Sequence, residues 1–190
     1  ATKRGTAHMA QWTIDAAHSN ANFSVRHMMV TTVRGQFSSG VTGTINFDPA
    51  NPAAASVEAT LQAGTIETGV TDRDNHLRSA DFLDAANFPV ITFKSTKVQP
   101  TGDTSAKITG NLTIRGVSRE VVINADFIGV VKSAFDGKNR AGFEGTTTIN
   151  REDFGLTWNV GLEAGGVLVG KELKIALDVE AMPAEVAAAV

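Results

Sequence analysis

The stretch Ser105-Ala106-Lys107-Ile108-Thr109-Gly110-Asn111-Leu112-Thr113-Ile114 decides how the chain is read. Ala106, Ile108, Gly110, Leu112 and Ile114 alternate with Ser105, Lys107, Thr109, Asn111 and Thr113. Successive side chains on a strand point to opposite faces, so the segment predicts one buried face and one wet face. The same period recurs on both sides of it. Upstream, Val57, Ala59, Leu61 and Ala63 alternate with Ser56, Glu58, Thr60 and Gln62. Downstream, Leu173, Ile175, Leu177 and Val179 alternate with Glu172, Lys174, Ala176 and Asp178. Phe23, Val25, His27 and Met29 form a further face, as do Val121, Ile123, Ala125 and Phe127, and Ala141, Phe143, Thr147 and Ile149. Phe37, Val41, Ile45 and Phe47 share parity on one long predicted strand, with Gly43 as a bend or bulge.

Short connections with turn chemistry separate these segments. Asp48-Pro49-Ala50-Asn51-Pro52 ends a strand. Thr101-Gly102-Asp103 and Arg115-Gly116 suit hairpins, and Asp136-Gly137-Lys138-Asn139 a looser loop. About eight strands result, at the spacing of an all-β sandwich or barrel. No long helical period alternates with them, which argues against a parallel α/β sheet. Thr71 to Ala86 breaks the alternation: Leu77 and Ala80, with Leu83 and Ala86, stand at helical spacings. One or two short helices are expected there, capped by Thr71 or Asp72 and ending before Phe88-Pro89. Arg151-Glu152-Asp153-Phe154-Gly155 is expected to make a second helical turn.

Composition narrows the function classes. The 190 residues carry 17 Lys and Arg against 20 Asp and Glu, a formal charge of −3, with no basic stripe of the kind that binds nucleic acid. Absence of Cys excludes disulfides, thiolate metal sites and a Cys nucleophile. No run approaches the ~18 apolar residues of a membrane span. Residues 1–8 read as an expression-vector remnant before Met9, residues 9–182 as one domain, and residues 183–190 as a frayed tail, with a helical turn from Ala181. With Met9 as the native start, the expected location is cytoplasmic; a signal peptide removed upstream would make it periplasmic or secreted.

Several strings, taken in order, resemble the YceI-like family of lipid-binding proteins. They are Trp12-Thr13-Ile14-Asp15, Phe23-Ser24-Val25-Arg26-His27-Met28 and Arg73-Asp74-Asn75-His76-Leu77-Arg78. Phe88-Pro89-Val90-Ile91-Thr92-Phe93, Gly110-Asn111-Leu112-Thr113-Ile114-Arg115-Gly116 and Asn150-Arg151-Glu152-Asp153-Phe154-Gly155 follow. The resemblance runs from Trp12 to about Glu180. It implies an antiparallel lipocalin-like β-barrel around an elongated apolar cavity. It also implies a binder or carrier of long-chain isoprenoids or other amphipathic lipids, without enzymatic activity or cofactor. A homodimer is compatible with it.

Residue parity places Phe23, Val25, His27, Phe37, Val41, Ile45, Phe93, Leu112, Ile123, Phe127 and Phe143 on the inward face, with Phe82 and Leu83 as anchors of the helical insertion over one opening. Parity alone does not separate a filled barrel from one holding a ligand. Arg26, Arg73 and His76 are the candidate head-group contacts, since Arg pairs bidentately with phosphate or carboxylate. His27 is expected to be buried with a polar contact at the pocket. An intramolecular pairing of Arg73 and Asp74 at the short helix competes with their ligand role. The alternative to a lipid binder is an enzyme using His27 with Arg73, Asp74 and His76 as acid and base. A third reading is a filled barrel acting through its surface. No metal site is expected, because the His residues lack ligand spacing. Gly161 to Gly170 lacks the Gly-Lys-Ser/Thr ending of a phosphate loop and reads as a flexible hairpin or a loop at the barrel mouth.

Overall fold

The computed structural model describes residues 10–184, so residues 1–8 and residues 185–190 of the expected tail lie outside the described residues. The alternating segments form β1 (Ala10–Ile14), β2 (Asn20–His27), β3 (Thr31–Phe37), β4 (Thr42–Phe47), β5 (Ser56–Gln62) and β6 (Ile66–Glu67). A helix α1 (Thr71–Arg78) follows, then β7 (Val90–Pro100), β8 (Ser105–Ile114), β9 (Val117–Lys132), β10 (Asn139–Asn150) and β11 (Glu172–Pro183). All pairings are antiparallel.

The order β1-β4-β5-β7-β8-β9-β10-β11 closes on itself, because β1 also pairs with β11 through Trp12↔Pro183 to Ile14↔Ala181. This is a closed eight-stranded barrel, and closure removes the sheet edges. The edge of β11 that carries β1 also carries β2, which pairs at residues 174–178. β1 and β2 are therefore two halves of one strand, bent at the 3-10 turn Ala16–His18. β3 and β4 are likewise separated by residues 38–41, and β5 and β6 by the 3-10 turn Ala63–Thr65. The expected eight runs are present, three of them broken. The long strand expected from Phe37 to Phe47 is one of the broken ones: Val41 lies in the break, where its amide donates to the Ser19 carbonyl.

Gly43 sits at φ +144°, and a Cβ there would overlap the Glu58 carbonyl oxygen of the paired strand. Gly43→Ala is expected to destabilise the barrel by about 3 kcal/mol, the cost of a strained backbone plus separation of β4 from β5. A urea midpoint within error of the parent would refute that. Arg115 and Gly116, both with positive φ, make the two-residue β8–β9 hairpin turn.

The helical insertion is shorter than expected: α1 ends at Arg78, and residues 79–87 form turns. The Ser79 hydroxyl donates to the His76 carbonyl at 2.6 Å, engaging an acceptor that the next helical amide would use. Thr71 and Asp72 lie inside the first turn and do not cap it; the N-cap is Val70, without a side-chain bond. Arg78 ties the helix to the sheet by donating to the carbonyls of Gly64 and Ile66 at 2.7 and 3.0 Å. Residues Arg151–Phe154 form the expected second turn, a 3-10 helix. At the other end of the chain, Ala181 is buried in β11, not in a helical turn, and the strand continues to Pro183.

Candidate ligand-binding cavity

Side chains that face inward on β9 keep part of their surface accessible. Val121, Ile123, Ala125 and Phe127 are half-buried while the residues between them are exposed. Such inward faces would be fully buried in a solid barrel. The interior instead holds a cavity of about 490 Å³, within the ~300–1,000 Å³ of small-molecule sites. Phe23, Val25, Phe37, Val41, Ile45, Phe82, Phe93, Leu112, Ile123, Phe127 and Phe143 all line it. So do Ile14, Phe47, Leu61, Ile175 and Leu177, which parity also points inward.

Its width is set where β8, β9 and β10 carry small residues. Ala106 pairs with Ala125, and Ala125 with Gly145. A Cβ on Gly145 would press on Ile123 and Leu177 at 3.0 and 3.4 Å. Aromatic packing supports the wall beside this band. Phe47 meets Phe127 and Phe143 at centroid distances of 4.8 and 5.3 Å, a favourable tilted arrangement.

The two ends differ. At one, the lining residues Pro49, Gly102, Asp103 and Thr104 belong to the β4–β5 and β7–β8 connections and are exposed, which makes this the mouth. At the other, Phe82, Leu83 and Leu156 are buried, and Leu77 of α1 packs against the core. Phe82, His76 and Trp158 form an aromatic cap there, with centroid separations of 5.0, 4.6 and 5.4 Å. Arg115 holds the cap by donating to the Phe82 carbonyl at 3.0 Å. Because Phe82 and Leu83 are this deeply packed, truncating them is expected to cost fold stability as well as ligand retention, each by about 2–5 kcal/mol.

Arg151 also lines the closed end and is 2% exposed. Parity reads it as one more inward position of β10, after Phe143, Thr147 and Ile149, a signal the sequence carried unused. Its Nε donates to the Gly170 carbonyl at 2.8 Å and its Nη2 to that of Val169 at 3.3 Å. Its Nη1 donates to Leu156 and Trp158 carbonyls at 2.7 and 2.9 Å. Burial pushes its guanidinium down from its ordinary value, opposed by Glu152. This one side chain fixes both ends of the segment from Leu156 to Gly170. Leu156 and Val169 of that segment line the cavity at the end opposite the mouth, and Gly161 bridges Val167, so Gly161 to Gly170 is the hairpin of the two expected forms and does not border the mouth.

The expected polar cluster does not assemble. His27 is the last residue of β2, half-buried, and does not line the cavity. Directly after it the strand reverses at Met28 and Met29, both with positive φ, so His27 stands at the end of the wall. Among the described residues its side chain makes no hydrogen bond. Arg26 is exposed, donating to the Thr32 hydroxyl at 3.2 Å. Arg73 donates to Thr68 Oγ1 and to the Thr68 carbonyl at 2.6 and 2.9 Å. The buried Asp74 accepts from the Thr68 amide and hydroxyl, so Arg73 and Asp74 serve the entry to α1 and not a ligand. His76 Nε2 lies 2.8 Å from Asp81 Oδ2. No hydrogen bond or ion pair among the described residues joins His27 to Arg73, Asp74 or His76, so the acid–base constellation is not formed.

Asp15, His18 and Glu180 do come together on the outside of the seam between β1 and β11, with ligand atoms within 4.8 Å of one another. His18 Nδ1 lies 2.8 Å from Asp15 and 3.3 Å from Glu180. The hydrogen bond to Asp15, with added attraction from both carboxylates, holds the exposed imidazole above its ordinary value, and the same bond lowers Asp15. This pairing is complete below the ordinary imidazole value near ~6.5 and is lost as pH rises through the raised one. A nuclear magnetic resonance titration is expected to place the His18 midpoint above that of Asp15→Asn; equal midpoints would contradict the pairing. Among the described residues, no helix is long and apolar enough to cross a membrane.

A closed antiparallel barrel around an apolar cavity defines a lipocalin-like architecture. The profile of the YceI-like domain matches residues 12–181, and the chain belongs to that family. A UPF0312 protein of Ectopseudomonas mendocina is 43% identical over 159 residues, covering 83% of this chain and 82% of that protein. The crystal structure of the Campylobacter jejuni YceI protein superposes with a TM-score of 0.69 at 32% identity, covering 84% and 90% of the two chains. A polyisoprenoid-binding domain from Saccharophagus degradans shares the fold with a TM-score of 0.66 at 14% identity, over 93% of this chain and all of that domain.

Proposed function

We propose that this chain binds an uncharged, long-chain amphipathic lipid of isoprenoid type, enclosed within the barrel, as a carrier or store and not as an enzyme. The observation that carries the reading is the cavity itself: its walls are predominantly aliphatic and aromatic. Each methylene moved from water into such an interior gains ~0.8 kcal/mol, so about ten enclosed methylenes supply ~8 kcal/mol before the cost of ordering the chain. The polyisoprenoid-binding domain of the same fold supports the ligand class.

Arg151 is the one Lys or Arg among the lining residues, and four of its N–H groups are engaged by carbonyls. A diphosphate or carboxylate drawn inside would lose hydration without gaining a free cation. An alcohol or quinone head group suits the cavity better. Native mass spectrometry of freshly purified protein, followed by lipid extraction, tests the reading. A co-purifying hydrophobic molecule is expected, as is uptake of an added prenol in preference to its diphosphate. An empty protein that takes up neither would overturn it, and preference for the diphosphate would overturn the head-group assignment.

A further inference from the structure

The cavity mouth is overhung by a hairpin. β8 begins at Ser105, opposite Asp126, whereas β9 continues to Lys132. Residues 129–132 therefore pair with β10 alone, with Ile128 bulged before them, and extend past the end of β8 on the mouth side. Apolar side chains on this projection have no covering: Ile128 is 61% exposed, Val131 68%, and Phe135 at the tip fully exposed. Phe135 is presented by a loop that bonds to itself. The Gly137 amide donates to the Ser133 carbonyl, the Ser133 amide to the Lys138 carbonyl, and the Phe135 amide to the Ser133 hydroxyl. Arg140 pairs with Asp136 across the tip at 2.8 Å. Burial of the barrel core gives no reason for an aromatic ring in that position.

Charge selects the occupant. Lys132, Lys138 and Arg140 stand on the hairpin against Asp136, in a chain whose formal charge is −3. With Arg140 engaged by Asp136, the hairpin presents an apolar tip flanked by Lys132 and Lys138, on an otherwise acidic protein; this matches the interface of an anionic bilayer, where the ring enters the acyl boundary and lysine lies at the level of the phosphates. We propose that the β9–β10 hairpin docks the protein on an anionic membrane surface with the cavity mouth facing the lipid. The inference rests on the lipid-binding reading, since it gives the cargo a path between bilayer and barrel that avoids water.

Co-sedimentation with vesicles tests it, using phosphatidylcholine alone and phosphatidylcholine with about one third phosphatidylglycerol. The parent protein is expected to bind the anionic vesicles preferentially and to lose binding as salt rises. Phe135→Ser and Lys132→Glu are each expected to lower the bound-to-free ratio about tenfold. Both positions are exposed, and an unchanged circular dichroism spectrum and unchanged cargo in native mass spectrometry separate docking from folding and from ligand retention. Failure of the parent to bind either vesicle, or equal binding by Phe135→Ser, would overturn the proposal. It would also be overturned if Phe135→Ser abolished a concentration-dependent dimer while leaving vesicle binding intact, because the face would then belong to a second copy. Vesicle binding by a protein that carries and accepts no lipid would instead sink the cargo reading and leave the docking surface standing.

Discussion

Arg151→Ala is expected to lower the stability of the barrel by about 4 kcal/mol, because it strands carbonyls that are held by a single buried guanidinium. The carbonyls of Leu156, Trp158 and Gly170 lose the guanidinium at once, and that of Val169 keeps only the Asn159 side chain. The segment between them is otherwise held by the Asn159 side chain, which bonds to both the amide and carbonyl of Val169, and by backbone bonds to β2, from the Met28 amide to Leu168 and from the Gly170 amide to Arg26. Arg151→Lys should recover little, since an ammonium offers three donors from one point and lacks the planar fork that reaches both strands of the segment. Urea unfolding gives the magnitude. Hydrogen exchange should show protection lost first across residues 156–170, before β8 and β9 open. A variant with parental stability and parental exchange in that segment would show that the guanidinium bonds are not what holds it.

Ala125→Trp is expected to empty the barrel without unfolding it. Ala125 points into the cavity between Ala106 and Gly145, where the wall has its smallest side chains. An indole placed there occupies space that a ligand chain would need, while meeting apolar neighbours such as Ile123 and Phe127 on its own strand. Filling a void restores contacts that a hollow interior lacks, so stability should change by less than about 1.5 kcal/mol. The expected result is loss of co-purified lipid and at least a tenfold fall in uptake of an added prenol, on the scale of ~1.4 kcal/mol per tenfold. Parental cargo in Ala125→Trp would mean that the lipid does not occupy this stretch of the interior.

The barrel wall was legible because alternation is a local property. Ile108 and Leu112, or Ile123 and Phe127, declare their face whatever the rest of the chain does, and the resemblance in Trp12 to Glu180 pointed to closure. The breaks in the first three runs were not legible. Residues 38–41 leave the strand in a turn closed by the Gly40 amide on the Phe37 carbonyl, with Gly40 at φ +71°; Ser38-Ser39-Gly40 is the local mark of it, masked by the shared parity of Phe37 and Val41. α1 was read too long for a related reason: Leu83 and Ala86 keep a helical spacing, but the Ser79 hydroxyl ends the helix at a position where periodicity is silent.

The polar residues show where sequence spacing misleads. His27, Arg73 and His76 stand in adjacent motifs of the resemblance and were brought together on that account. In space Arg73 is consumed by Thr68, His76 by Asp81 and the aromatic cap, and His27 stands at the end of the wall. Arg151 stands in the string expected to make a helical turn, and that expectation gives it no inward role. Its parity, continuous with Ile149, carried the opposite message, and burial of a guanidinium follows once carbonyls are available to it.

The strand that seals the barrel is also the last of its strands to be synthesised. β11 borders β10 on one side and both β1 and β2 on the other, joining strands made near the start of the chain to those made near its end. Until residues 172–183 have left the ribosome, the earlier strands form an open curved sheet with its apolar face uncovered. No enclosed interior exists for a lipid to enter during translation. Under the proposed function, loading is therefore a post-translational event, and a nascent chain stalled before β11 would present to chaperones the apolar surface that lines the cavity of the finished protein.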